Sequence, residues 1–144
     1  MRSFVYPATL TPEKGSGFTI QFRDLPEAIT SGKDRSDALL QAADCLEEAI
    51  AGRIADEIEI PEPSAARRKQ VLVPLTATMA AKAALYLAIQ DSSISKSELA
   101  RRLRVDEKEI RRMLDPRHAT RLSSIQKAIE ALGKRLIVSV ETAA

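Results

Sequence analysis

Apolar and polar positions alternate in two short runs at the start of the chain. Phe4, Tyr6, Ala8 and Leu10 alternate with more polar or smaller residues, and after TPEKGSG the same period returns at Phe18, Ile20 and Phe22. A period of two places every second side chain on one face of a sheet, so the pattern predicts two half-buried strands joined as a hairpin. Pro26 has no N–H to give a ladder, so Asp24-Leu25-Pro26 interrupts the second run. A short third strand over residues 28–31 follows, and Gly32 turns the chain. Between residues 34 and 51 the period becomes helical. Leu39, Ala42, Leu46 and Ala49 or Ile50 fall on one face, with Asp37, Asp44, Glu47 and Glu48 largely off it. Asp34 or Ser36 is placed to cap this helix, and Gly52 lies near its end. Packing the helix on the sheet buries both apolar faces.

Residues 55–70, ADEIEIPEPSAARRKQ, mix charge with two prolines and have no apolar period, which predicts a mobile connection. Val71, Val73 and Leu75 alternate again and predict a strand that returns to the first sheet. The first unit is therefore expected over residues 1–75, in the order βββαβ, and a second over residues 76–144. The second reads as helical, with runs at 79–91, 96–103, 106–114 and 122–132. Leu136, Val138 and Val140 then alternate with Arg135, Ile137 and Ser139, predicting a terminal strand that must find an edge to pair with. The same strand of a second copy is the natural partner. The expected class is α+β.

Composition narrows the chemistry. The chain has 144 residues, enough for one ordinary domain or two small ones. Only 3% are aromatic, too few for a base-stacking platform of the usual RNA-binding kind. One cysteine, Cys45, cannot close an intramolecular disulfide, and together with the single histidine, His118, it cannot assemble a zinc site. No apolar run approaches the roughly 20 residues that span a bilayer, and MRSFVYPATL lacks the apolar core of a secretory signal. The expected setting is the cytoplasm, away from membranes.

Charge is unevenly divided. Residues 1–66 hold 6 Lys/Arg and 12 Asp/Glu, a net of −6, and residues 67–144 hold 16 and 8, a net of +8. A basic half attracts polyanions and an acidic half favours a basic protein, so two kinds of partner are expected. Asp24, Glu27, Asp34 and Asp37 form a carboxylate-rich stretch of the kind that holds Mg²⁺. Asp34 and Asp37 also fit helix capping, however, and Asp24 fits a turn. Cys45 sits mid-helix with no basic partner nearby in sequence. Neither an enzyme, nor a metal site, nor a cofactor is expected.

SELARRLRVDEKEIRRML, residues 97–114, reads as two helices separated by two or three residues. Leu99, Ala100, Leu103, Val105, Ile110, Met113 and Leu114 supply a shared core. Ala100 is small where a second helix must approach closely. The spacing of Ala100, Arg104 and Ile110 resembles the helix-turn-helix of the phage-repressor class, which usually places Gly where Arg104 stands because the turn needs positive φ. The resemblance implies a recognition helix over residues 106–113, capped by Asp106. Lys108, Arg111 and Arg112 are the donors to guanine or phosphate, and Glu107 is placed to accept from cytosine. Lys96, with the backbone N–H groups near Ser97, and Arg117, His118, Thr120 and Arg121 of the following loop are the expected backbone contacts.

YPATLTPEKGSGFTIQFRDLPEAITSGKDRSDALLQAADCLEEAI resembles the N-terminal module of HicB-type antitoxins: strand, hairpin, strand ending in Asp-Leu-Pro, short strand, Gly, and an Ala/Leu-rich helix. The segment from VLVPLTATM to RLIVSV resembles the helix-turn-helix half of the same family, so nearly the whole chain is covered. The resemblance implies a partial RNase-H-like module without a nuclease site, which blocks a small basic mRNA-cleaving toxin of the HicA type. It implies a second module that binds operator double-stranded DNA and represses its own operon. Asp24, Glu27, Asp44, Glu47 and Glu48 are the acidic candidates for toxin contact. Operator geometry favours a homodimer, with Leu136, Ile137, Val138 and Val140 as its candidate seam. The alternative is a stand-alone transcriptional regulator whose first module senses a small ligand.

Overall fold

A computed structural model describes residues 1–143. It is a mixed α+β structure, with four strands in one antiparallel sheet and five helices. The chain divides into two compact units, Met1–Ala80 and Ala81–Ala144.

The first unit runs β1 (Val5–Pro12), β2 (Phe18–Phe22), β3 (Leu25–Gly32), α1 (Arg35–Ala55) and β4 (Val71–Pro74). The sheet order is β3-β2-β1-β4. The hairpin register pairs Ala8 with Phe22 and Leu10 with Ile20, so the alternation read from sequence puts Tyr6, Ala8, Ile20 and Phe22 on one buried face. β3 is longer than its apolar residues suggest. It begins at Leu25, and Pro26 is tolerated because β3 is an edge strand whose pairing slips between Phe22↔Leu25 and Gln21↔Ile29.

Asp34 caps α1, its carboxylate accepting from the Asp37 N–H at 2.8 Å. The buried stripe is Ala38, Ala42, Leu46, Ile50 and Ile54, a strict repeat of four that packs mainly on β3. Leu39, expected on this face, is instead 39% exposed. Alanines occupy the stripe near the helix start because the backbones come close there: a Cβ added to Gly32 would lie 2.4 Å from Ala38 Cα. Gly52 does not stop the helix, which continues to Ala55. The stop is at Glu57, with φ 55, where the Ile58 N–H returns to the Arg53 carbonyl at 2.8 Å.

The connection expected to be mobile is tied down. Residues 58–67 form no regular element, yet the Arg2 guanidinium donates to Ile60 O, the Tyr6 hydroxyl donates to Pro61 O at 2.7 Å, and Arg53 donates to Glu59 O. Ile60 is 1% exposed. Long-range partners supplied by the sheet and by α1 replace the local order that a charged, proline-containing sequence lacks. β4 follows and pairs with β1 through Tyr6↔Val73 and Ala8↔Val71.

The division between units falls in the first turn of α2 (Ala77–Asp91), beyond the boundary expected at residue 75. The second unit continues with α3 (Lys96–Leu103), α4 (Glu107–Leu114) and α5 (Leu122–Ala131). Its core contains Leu85, Leu99, Ala100, Ile110, Met113, Leu114, Ile125, Ala128 and Ile129. Residues 134–143 form no strand, in contrast to the C-terminal strand predicted, and Ile137, Val138 and Val140 are exposed. A strand exists only through a ladder, and the single chain offers these residues no partner.

Candidate functional site

The segment that carries most of the candidate chemistry is built from two short helices and three linking residues. Ser95 starts α3, its hydroxyl accepting from the Glu98 N–H at 3.1 Å. α3 ends at Arg104, which takes φ 56, ψ 43, the left-handed region expected for that position. The Val105 N–H donates to Ala100 O at 3.0 Å and the Arg104 N–H to Arg101 O at 3.2 Å, which satisfies the last carbonyls of α3. Asp106 caps α4 by accepting from the Lys108 N–H at 3.2 Å. Leu99, Ala100, Ile110, Met113 and Leu114 are buried, while Leu103 is half-buried and Val105 is exposed. The polar sides of both helices therefore face outward.

Those polar sides are more neutral than a count of arginines suggests. Glu98 receives two hydrogen bonds from Arg101, at 2.8 and 2.6 Å, and a third from Arg102 at 3.1 Å. These cations hold its carboxyl down to about 2. Arg111 pairs with Glu107 at 3.3 Å, and Arg112 pairs with Glu109. Lys108 is exposed, and its ammonium has no ion-pair partner among the described residues. Of the predicted DNA-contact residues, Lys96 and Ser97 lie in the first turn of α3 and Glu107, Lys108, Arg111 and Arg112 lie on α4, with Ser97 exposed. Arg117, His118 and Arg121 are exposed in the loop before α5.

Thr120 is engaged inward instead. Its hydroxyl lies 3.0 Å from His118 Nδ1 and 3.3 Å from Arg112 O. It also accepts from Lys82, a residue that sequence reasoning missed. Lys82 is 1% exposed, and its ammonium donates to Met113 O at 3.0 Å, Arg112 O at 3.2 Å and Thr120 Oγ1 at 3.0 Å. Burial pushes its pKa down, with Asp115 acting in the opposite sense. The only sequence signal was one charge inside the apolar run MAAKAALYLAI.

In the first unit three of the acidic candidates already have hydrogen-bond partners. Asp24 accepts from the Ser64 N–H at 2.9 Å and fastens the connecting segment. Glu27 and Arg53 make a two-pronged pair, at 2.6 and 2.8 Å, which lowers the Glu27 pKa. Glu47 accepts from the Thr76 N–H at 2.6 Å. Asp44 and Glu48, one helical turn apart on α1, remain exposed. Asp34 and Asp37 are used at the start of α1, where Lys33 N–H and Gln41 lower the Asp37 pKa. No group of three or more potential metal ligands converges among the described residues. The Cys45 thiol is half-buried, and its pKa is raised by burial and then by Glu27. No helix among the described residues is long and apolar enough to cross a membrane.

Residues 5–84, from β1 into α2, match the family described as HicB_like antitoxin of bacterial toxin-antitoxin system. The class is thus that of bacterial antitoxins. Across 141 residues the chain is 36% identical to Antitoxin HicB 1 of Photorhabdus laumondii, covering 98% of this chain and 90% of that one. It is 37% identical over 131 residues to Antitoxin HicB of Escherichia coli K12, covering 91% and 95%. Antitoxin HicB of Pseudomonas fluorescens is 32% identical over 141 residues, covering 97% and 96%. The chain belongs to the HicB-like antitoxin family, and membership implies a toxin as partner.

Proposed function

We propose that the N-terminal unit, as a partial RNase-H-like module, binds and blocks a small basic mRNA-cleaving toxin of the HicA type. The C-terminal unit, as a helix-turn-helix, binds operator DNA in the cytoplasm and represses the chain's own operon. The observation that carries the DNA reading is the α3–α4 joint. Arg104 supplies the left-handed turn, Ala100 allows close approach, and Ile110 fills the space between the helices. α4 is then the reading helix. Lys108 is its unpaired cation, and Arg111 and Arg112 can exchange Glu107 and Glu109 for base or phosphate acceptors. Lys96, Ser97, Arg117, His118 and Arg121 supply phosphate contacts, whereas Thr120 acts from within. On the first unit the exposed Asp44–Glu48 stripe is the best-supported acidic contact, since Asp24, Glu27 and Glu47 already have partners. Two copies pair through Leu136, Ile137, Val138 and Val140, giving these residues the ladder they lack alone.

Co-expression with the small basic protein encoded beside this gene tests the toxin half. Growth arrest caused by that protein alone should be relieved by this chain, and the two should co-purify. Arrest without relief, or a neighbour that is harmless, would favour the stand-alone regulator.

A further inference from the structure

Lys82 is the only buried charged residue among the described residues. An ammonium taken from water is costly unless its protons find acceptors, and here all three do. Two acceptors, Arg112 O and Met113 O, are carbonyls of the last turn of α4. Arg112 O also accepts from the Asp115 N–H at 3.1 Å, and the macrodipole at this end of the helix favours a cation. The third, Thr120 Oγ1, lies seven residues beyond Met113 at the far end of the loop, and it also reaches Arg112 O and His118. One buried charge therefore joins the end of α4 to the loop carrying Arg117, His118 and Arg121. Asp115 is the carboxylate that acts electrostatically on it.

We propose that Lys82 is a positioning residue for DNA reading: from inside the core it fixes the end of the recognition helix and the phosphate-contacting loop in one geometry. This rests on the operator-binding reading above. A methionine of similar length would fill the space but leave the two carbonyls and the Thr120 hydroxyl without their shared donor. The loop would then be free to move, without any phosphate contact having been removed.

The test uses the full chain with Lys82→Met, Lys82→Arg and Thr120→Val. Amide hydrogen exchange is followed in the free protein. Affinity for the duplex preceding the gene, and for a scrambled duplex, is measured across a salt series. Lys82→Met should speed exchange over residues 112–121 and leave residues 5–32 unchanged. Operator affinity should fall about ten-fold, the change that losing one hydrogen bond to a charged group corresponds to. The salt slope should not steepen, and it should become shallower to the extent that the freed loop gives up phosphate contacts. Lys82→Arg, which keeps donors, should recover most of the loss, and Thr120→Val should show a smaller loss of the same kind. If Lys82→Met does not fold, Thr120→Val carries the same comparison. Unchanged exchange over 112–121, or unchanged operator affinity, in a folded variant would overturn the proposal. Wild-type protein that does not prefer its own operator would instead remove the operator reading, while the exchange arm would still decide whether Lys82 fixes the loop.

Discussion

The amide of Val105 donates to the carbonyl of Ala100 at 3.0 Å, and this bond closes α3 only because Arg104, between them, has turned to φ 56. Left-handed geometry costs a residue with a Cβ about 1–2 kcal/mol. Glycine avoids that cost but gives back about 0.4–1 kcal/mol through a freer unfolded chain. Arg104→Gly should therefore stabilise the protein slightly, by about 0.5 kcal/mol from that difference. Chemical denaturation at constant slope measures it. A clear loss of stability would mean that the Arg104 side chain contributes more than the turn costs.

Glu27 and Arg53 give a pH dependence with a definite sign. The Arg53 guanidinium, by hydrogen bonding, lowers the Glu27 pKa below its ordinary 4.5. A carboxylate with a depressed folded-state pKa stabilises the fold above its unfolded value and loses that contribution as pH falls through the folded value. Glu27 is 45% exposed, so screening limits the pair to about 1 kcal/mol or less. Glu27→Gln should be less stable than wild type near neutrality, and the two should converge as pH falls from the ordinary value through the lowered folded-state value. A gap that persists in acid would point to packing rather than charge.

Gly32→Ala should be far more damaging than its single methyl group suggests. The added Cβ would meet the backbone of Ala38 at 2.4 and 2.5 Å, where neither β3 nor α1 can yield without moving the other. Overpacking of this kind costs about 1–3 kcal/mol and more when backbone must shift. Thermal unfolding should show a large drop or no cooperative transition, and a change within error would mean that the helix slides freely on the sheet.

On the proposed C-terminal pairing, the chain should be dimeric, and removing residues 134–144 should leave monomers and weaken operator binding, since two linked half-site contacts reinforce each other. Light scattering reads the mass directly. A truncated chain that remains dimeric would place the seam elsewhere.

What the sequence made legible follows from how local each feature is. The hairpin was readable because alternation at Phe18, Ile20 and Phe22 is a property of five consecutive residues. α3 and α4 were readable because the apolar spacing from Leu99 to Leu114, the turn position Arg104 and the Asp106 cap all lie within one short stretch. Leu39 was misplaced because the buried side of α1 is set by where Gly32 lets the helix approach, and size there outweighs hydrophobicity. The anchoring of Ile60, Pro61 and Ser64 depends on Arg2, Tyr6 and Asp24 respectively, some 40 to 58 residues earlier. Lys82 was hidden for the same reason: its acceptors lie 30 to 38 residues later. The exposed Asp44 and Glu48 were visible as acids, but nothing local distinguished them from Asp24, Glu27 and Glu47, which the fold had already engaged.

The proposed division of labour between the two units is tested most directly by one double variant, Lys108→Ala with Arg111→Ala, assayed in parallel for operator binding at fixed salt and for relief of toxin arrest. Each lost base contact is worth about 1–3 kcal/mol, so operator binding should fall by at least ten-fold while relief of arrest stays at the wild-type level. Operator binding equal to wild type, or loss of both activities together in a folded protein, would contradict it.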